Sequence, residues 1–96
     1  MKKVFPDCGH PQGQRVVPWF RLVEGQLYPD YGHPKGEKSK PWYFILNDKL
    51  YPDVGHPEWP RRTPFYRLVN DKLYPDVGHP DGPGEQPWFR IIAEND

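Results

Sequence analysis

Hydrophobic positions in this chain alternate over short spans, and the spans come in pairs. Trp19-Phe20-Arg21-Leu22-Val23 is β-prone and follows Pro18, a residue tolerated at the first position of a strand. Glu24-Gly25 separates it from Gln26-Leu27-Tyr28, a second short β-prone run. The dipeptides at the corresponding places further on are Asn47-Asp48 and Asn70-Asp71. Asn, Asp and Gly accept the positive φ that a two-residue hairpin turn requires, so each pair of runs reads as a β-hairpin. In that register Leu22 faces Leu27 and Arg21 faces Tyr28. Phe20, Leu22 and Leu27 then share one apolar face, and Trp19, Arg21, Val23 and Tyr28 share the other.

The pattern recurs with a fixed step. LYPDVGHP occupies Leu50 to Pro57 and returns unchanged at Leu73 to Pro80, with near-copies at Val4 to Pro11 (VFPDCGHP) and Leu27 to Pro34 (LYPDYGHP). Their starts at 4, 27, 50 and 73 are 23 residues apart. PWFRLV from Pro18, PWYFIL from Pro41, PFYRLV from Pro64 and PWFRII from Pro87 keep the same step. A fixed period of this size marks a repeat protein. After each hairpin, Pro-Asp-x-Gly-His-Pro reads as a chain reversal: Pro presets φ, Asp bonds amides two residues on, and Gly accepts the left-handed region. The loops 12–17, 35–40, 58–63 and 81–86 differ in every copy and are expected on the surface.

The repeats run 18–40, 41–63 and 64–86, flanked by half-repeats 1–17 and 87–96 in a single domain. The first half-repeat holds only a returning strand and the last only an outgoing one, and paired they make one more hairpin. An apolar strand left at an open edge invites aggregation, which closure removes. The expected fold is therefore all-β: four tandem 23-residue hairpins closed into a pseudo-fourfold ring or small barrel. Pairing the same halves between chains would instead give a homo-oligomer by terminal strand exchange. The period is similar to that of MORN repeats, but their glycine-rich signature is missing, so nothing is carried across. Residues 47–57 and 70–80 are identical, as recent duplication or deliberate symmetric design would each produce.

Composition narrows the function classes. Fourteen Pro and nine Gly fall at fixed repeat positions and so read as turn chemistry, not disorder. Thirteen basic residues balance thirteen acidic ones, which argues against a nucleic-acid or anionic-membrane partner. Cys8 is the only cysteine, and Met1-Lys2-Lys3 leads straight into the first repeat without an apolar leader. The expected location is the cytoplasm.

Two constellations carry candidate chemistry. The first is Asp-x-Gly-His in every copy: Asp7 and His10, Asp30 and His33, Asp53 and His56, Asp76 and His79. These eight, with Trp59, are the candidate ligand-binding residues for a carbohydrate or protein ligand. His10, His33, His56 and His79 converging on the axis would alternatively bind Zn, Ni or Cu. The favoured reading is structural, with each Asp capping its turn and each His bonding a neighbouring carbonyl or stacking on Trp. A copied unit repeats its folding residues whatever else they do, and local metal-ligand spacing is missing. The second constellation is aromatic: Trp19, Trp42, Phe65 and Trp88 at the strand starts, and Tyr28, Tyr51 and Tyr74 on the returning strands. Most of these rings are expected in the core. Trp59 stands where other copies have Gly13, Gly36 and Gly82, and is expected to be exposed. No nucleophile motif surrounds Ser39 or Thr63, and Cys8 is Tyr or Val in the other copies, so no enzyme and no cofactor is expected. The resulting expectation is a non-catalytic binding or scaffold module.

Overall fold

The computed structural model describes residues 2–93. Its regular elements are eight strands: β1 (Lys2–Pro6), β2 (Phe20–Val23), β3 (Gln26–Pro29), β4 (Tyr43–Leu46), β5 (Lys49–Pro52), β6 (Tyr66–Val69), β7 (Lys72–Pro75) and β8 (Phe89–Ala93). All neighbours are antiparallel, in chain order, and β1 pairs with β8 to close a barrel. No helix among the described residues is long and apolar enough to cross a membrane.

Each hairpin keeps the register read from its sequence. Leu22 faces Leu27 and Arg21 faces Tyr28 in β2–β3, with the same offsets in β4–β5 and β6–β7. Glu24 and Gly25 have φ of 50° and 80°, Asn47 and Asp48 53° and 61°, and Asn70 and Asp71 52° and 62°. These pairs are the two left-handed residues of a two-residue turn whose twist matches its strands. The termini reproduce the pattern without a turn: Val4 faces Ile91, Phe5 faces Arg90 and Pro6 faces Phe89.

Pairing between hairpins is thinner. β3–β4, β5–β6 and β7–β8 each share two register pairs, against four within a hairpin. Side chains supply the rest. An eight-stranded barrel leaves an interior just wide enough to fill with side chains. Val4, Leu27, Leu50 and Leu73 are buried completely or nearly so, one from each unit. Phe20, Tyr43, Tyr66 and Phe89 form a closed ring with neighbouring centroids 5.7, 5.7, 5.6 and 5.7 Å apart. Their planes meet at 74–79°, the edge-to-face packing that the ring quadrupole favours.

Trp19, which alternation put on the face opposite Phe20, packs against the core as expected for most of these rings, touching His10 and Phe89. The strand begins only at Phe20, so period-two alternation does not extend back to Trp19.

Candidate functional site

The Pro-Asp-x-Gly-His-Pro turns lie at the barrel end opposite the hairpin turns, because the chain alternates direction with every strand. In each turn the His amide donates to the carbonyl of the Asp three residues earlier, at 2.9–3.0 Å. The Asp side chain caps one residue on, not two as the sequence suggests. Oδ1 of Asp7, Asp30, Asp53 and Asp76 accepts the N–H of Cys8, Tyr31, Val54 and Val77 at 2.7–2.8 Å.

The glycines serve close approach instead of a left-handed φ. Gly9, Gly32, Gly55 and Gly78 donate to the carbonyls of Pro87, Pro18, Pro41 and Pro64 at 2.8–2.9 Å. A Cβ on Gly9 would lie 2.6 Å from the Pro87 oxygen, and one on Gly78 2.7 Å from that of Pro64. Positive φ belongs to Gly13, Gly36 and Gly82 in the variable loops.

These turns plant the four histidines in the protein. Nδ1 of His10, His33, His56 and His79 accepts the amide of Gln12, Lys35, Glu58 and Asp81 at 3.0–3.1 Å. An accepting Nδ1 carries no proton, which places the neutral imidazole's proton on Nε2. His56 Nε2 lies 3.2 Å from the Tyr43 hydroxyl, a group that the other units lack or place differently. The expectation of a carbonyl partner is thus replaced by an amide donor from the same turn.

The imidazoles alternate with Trp19, Trp42, Phe65 and Trp88 in a closed belt of eight rings, with centroid separations of 4.4–6.0 Å. Each His also meets the inner ring, as His33 meets Phe20 at 5.2 Å and His56 meets Tyr43 at 5.0 Å. Burial pushes all four imidazoles below their ordinary value, His33 to about 4 with help from the Lys35 and Lys38 charges. The candidate metal set does not assemble. Among the described residues no three His, Cys, Asp or Glu side chains group closely enough to hold an ion.

The second carboxylate oxygens tie neighbouring units together. Asp30 Oδ2 meets Lys3 Nζ at 2.5 Å, Asp53 meets Gln26 Nε2 at 2.9 Å, and Asp76 meets Lys49 at 2.9 Å. Lys72 and Asp7, 3.1 Å apart, close the set across the paired termini. For Asp7 and Asp76 the ammonium is off the hydrogen-bond direction, so the pair is ionic in character. Burial alone would raise these two carboxyls, but the turn amides and the Lys49 and Lys72 charges outweigh it and lower them. The sequence reading missed these partners. Their signal was the same 23-residue step, visible as Lys3, Gln26, Lys49 and Lys72.

Arginines pin the loops. Arg21 donates to the carbonyls of Pro29 and Lys38, Arg67 to those of Pro75 and Gly84, and Arg90 to those of Pro6 and Arg15, at 2.6–3.0 Å. Each lies over the ring of Tyr28, Tyr74 or Phe5, with centroid distances of 5.2–5.3 Å. Phe44 takes this place in the second hairpin and stacks on Tyr51 at 5.4 Å, leaving loop 58–63 without the clamp.

Seven of the eight Asp and His candidates are buried and Asp53 is half-buried, and each Asp Oδ1 and each His Nδ1 is taken by a turn amide. Trp59 is 50% exposed, and Tyr31 at 63% is a more exposed ring that the sequence reading passed over. No protein-family model, curated protein or solved structure matches the chain.

Proposed function

We propose that the protein is a non-catalytic binding module, a rigid pseudo-fourfold barrel that presents four dissimilar loops on one rim to a carbohydrate or protein ligand. One observation carries this reading. The Asp and His side chains common to the units are held by turn amides, by Lys or Gln of a neighbouring unit and by aromatic rings, whereas loops 12–17, 35–40, 58–63 and 81–86 share one end of the barrel and differ in chemistry. The first offers exposed Val16 and Val17, the second three lysines, the third Trp59 with two arginines, and the fourth Asp81 and Glu85. A constant frame with variable loops is how rigid scaffolds commonly carry recognition. Here the frame fixes where each loop starts and ends, so little ordering entropy remains to be lost on binding.

The test compares the unaltered chain with a rim variant in which Lys35, Lys38, Lys40, Trp59, Arg61 and Arg62 are all Ser. Both are checked for folding by NMR, then run on a glycan array and in pull-downs. Binding by the unaltered chain that disappears in the variant supports the rim. Binding that survives in the variant, or none by either protein, overturns it.

A further inference from the structure

A cleft of about 270 Å³ opens where loop 35–40 meets the following turn, lined by Lys38, Ser39, Lys40, Trp42 and Gly55. We propose that this cleft binds a carboxylated sugar unit, its ring against the Trp42 indole and its carboxylate between the Lys38 and Lys40 ammonium groups. This deepens the binding-module reading and rests on it.

The walls are held in place from beneath. Arg21 donates to the Lys38 carbonyl and to the Pro29 carbonyl, each at 2.8 Å, and the Lys38 amide donates to Pro29 at 3.2 Å. Lys40 abuts the next turn so closely that a Cβ on Gly55 would come within 2.9 Å of the Lys40 Cβ. Trp42 is fixed by its amide, which donates to Leu27 at 2.8 Å, and by the imidazoles of His33 and His56 at 4.7 and 5.1 Å. A preformed wall loses little freedom when a ligand enters.

Charge selects the ligand. Glu37 is the only acidic residue in loop 35–40, and it is drawn to Arg21 at 3.6 Å, away from the lysines. Among the described residues no carboxylate pairs with Lys35, Lys38 or Lys40. Burial lowers His33 here, and the nearby Lys35 and Lys38 charges add to that shift. The apolar indole beside two ammonium groups suits a pyranose, which has an apolar C–H face and here an anionic substituent. The volume falls just below the roughly 300–1,000 Å³ of pockets for drug-sized ligands, which fits a single ring.

The other seams lack this combination. The residues in place of Lys38-Ser39-Lys40 are Arg15-Val16-Val17, Arg61-Arg62-Thr63 and Gly84-Glu85-Gln86, and Phe65 replaces the indole beside Arg61-Arg62-Thr63. Pseudo-symmetry thus repeats the frame of the cleft while sequence differences confine its charge to one copy.

The test is an amide and indole NMR titration of the full chain with methyl glucuronide, methyl glucoside and inorganic phosphate. The expected result is saturable shifts at the Trp42 indole N–H and the Lys40 and Gly55 amides, with a Kd of about 1 mM for the glucuronide and at least about tenfold weaker binding of the glucoside. Lys38→Gln with Lys40→Gln should erase that preference, and Lys2→Gln, an exposed position at the opposite end of the barrel, should leave it unchanged. All three lysines are exposed, so these variants keep the fold, which the same spectra verify. Equal shifts with glucoside, the same shifts with phosphate, or no saturable shift at these residues would each overturn the cleft. If other rim residues shift instead, the binding-module reading survives the loss of this site. If the rim variant shows no loss on the array either, both readings fall.

Discussion

The aromatic belt and the loop rim occupy the same end of the barrel and follow opposite rules. In the belt, each imidazole touches an indole or phenyl ring from its own unit and another from the next, so every ring answers to two neighbours. Changing one ring disturbs packing on both sides, and interiors at crystal-like density tolerate that poorly. In the rim, side chains project into water and loop length alone is kept at six residues. The comparison teaches that identity is held where units are coupled and free where they are not. Phe44 lies between the two cases. It replaces a clamping arginine, yet its stack on Tyr51 keeps the outer wall covered while loop 58–63 loses its tether.

The strongest way to break the belt is to remove one of its members together with the strand that follows it. Deleting residues 87–96 takes away Trp88 and β8, opening edges on β1 and β7. The shortened chain should aggregate or unfold, as size-exclusion chromatography and circular dichroism would reveal; a monomer of unchanged melting temperature would contradict closure as the source of stability.

Acid should act next. The folded imidazoles are neutral with lowered pKa, whereas the unfolded chain takes up protons near 6.5. The unfolded state therefore binds more protons, and stability that is complete above pH 6.5 is lost as pH falls towards about 4. Protonation at Nδ1 would also set a donor against the turn amide. His33 alone should contribute about 2 kcal/mol after solvent screening. Urea midpoints measured from pH 7 to 4 would show the decline, and the lowered Asp7 and Asp76 add a second loss below 3.8. A flat profile down to pH 4 would mean that the belt accepts protons without opening.

A smaller effect is expected where frame meets loop. Arg67→Ala removes two carbonyl contacts and a ring contact, at a cost of about 1 kcal/mol for a partly exposed group. Amide exchange in loop 81–86 should speed up accordingly. Phe44→Arg should move loop 58–63 the other way, slowing its exchange if the missing clamp is what frees it. The least effect belongs to the rim itself: Trp59→Ala should change stability by no more than about 0.5 kcal/mol, because half of the ring already faces solvent. A larger loss in thermal unfolding would place Trp59 with the frame.

Much of the architecture was legible because it rests on local rules. Turn dipeptides such as Asn47-Asp48 carry their own positive-φ preference, and a two-residue turn leaves one register for the strands it joins. The matching halves at Val4 and Ile91 extended that logic to closure. The candidate site was legible only as a set of repeated residues. That Asp and His recur says nothing of where they point, because a folding residue and a binding residue are copied alike. Trp19 shows the limit of alternation, which predicts facing only within a strand, because it lies one residue outside β2.

By itself, then, the sequence determined the period, the hairpins, their registers and the positions that vary. Those features depend on contacts a few residues apart or on simple repetition. Tertiary structure alone decided that imidazoles interleave with indoles, that Gly55 is required by the Pro41 carbonyl and not by its φ, and that Lys72 reaches Asp7. It also set Lys38 and Lys40 beside Trp42 and Gly55. Apart from Gly55 and Pro41, which share a unit, these features join residues from neighbouring units whose distance is fixed only when the barrel closes, and no local preference encodes the radius of a closed ring.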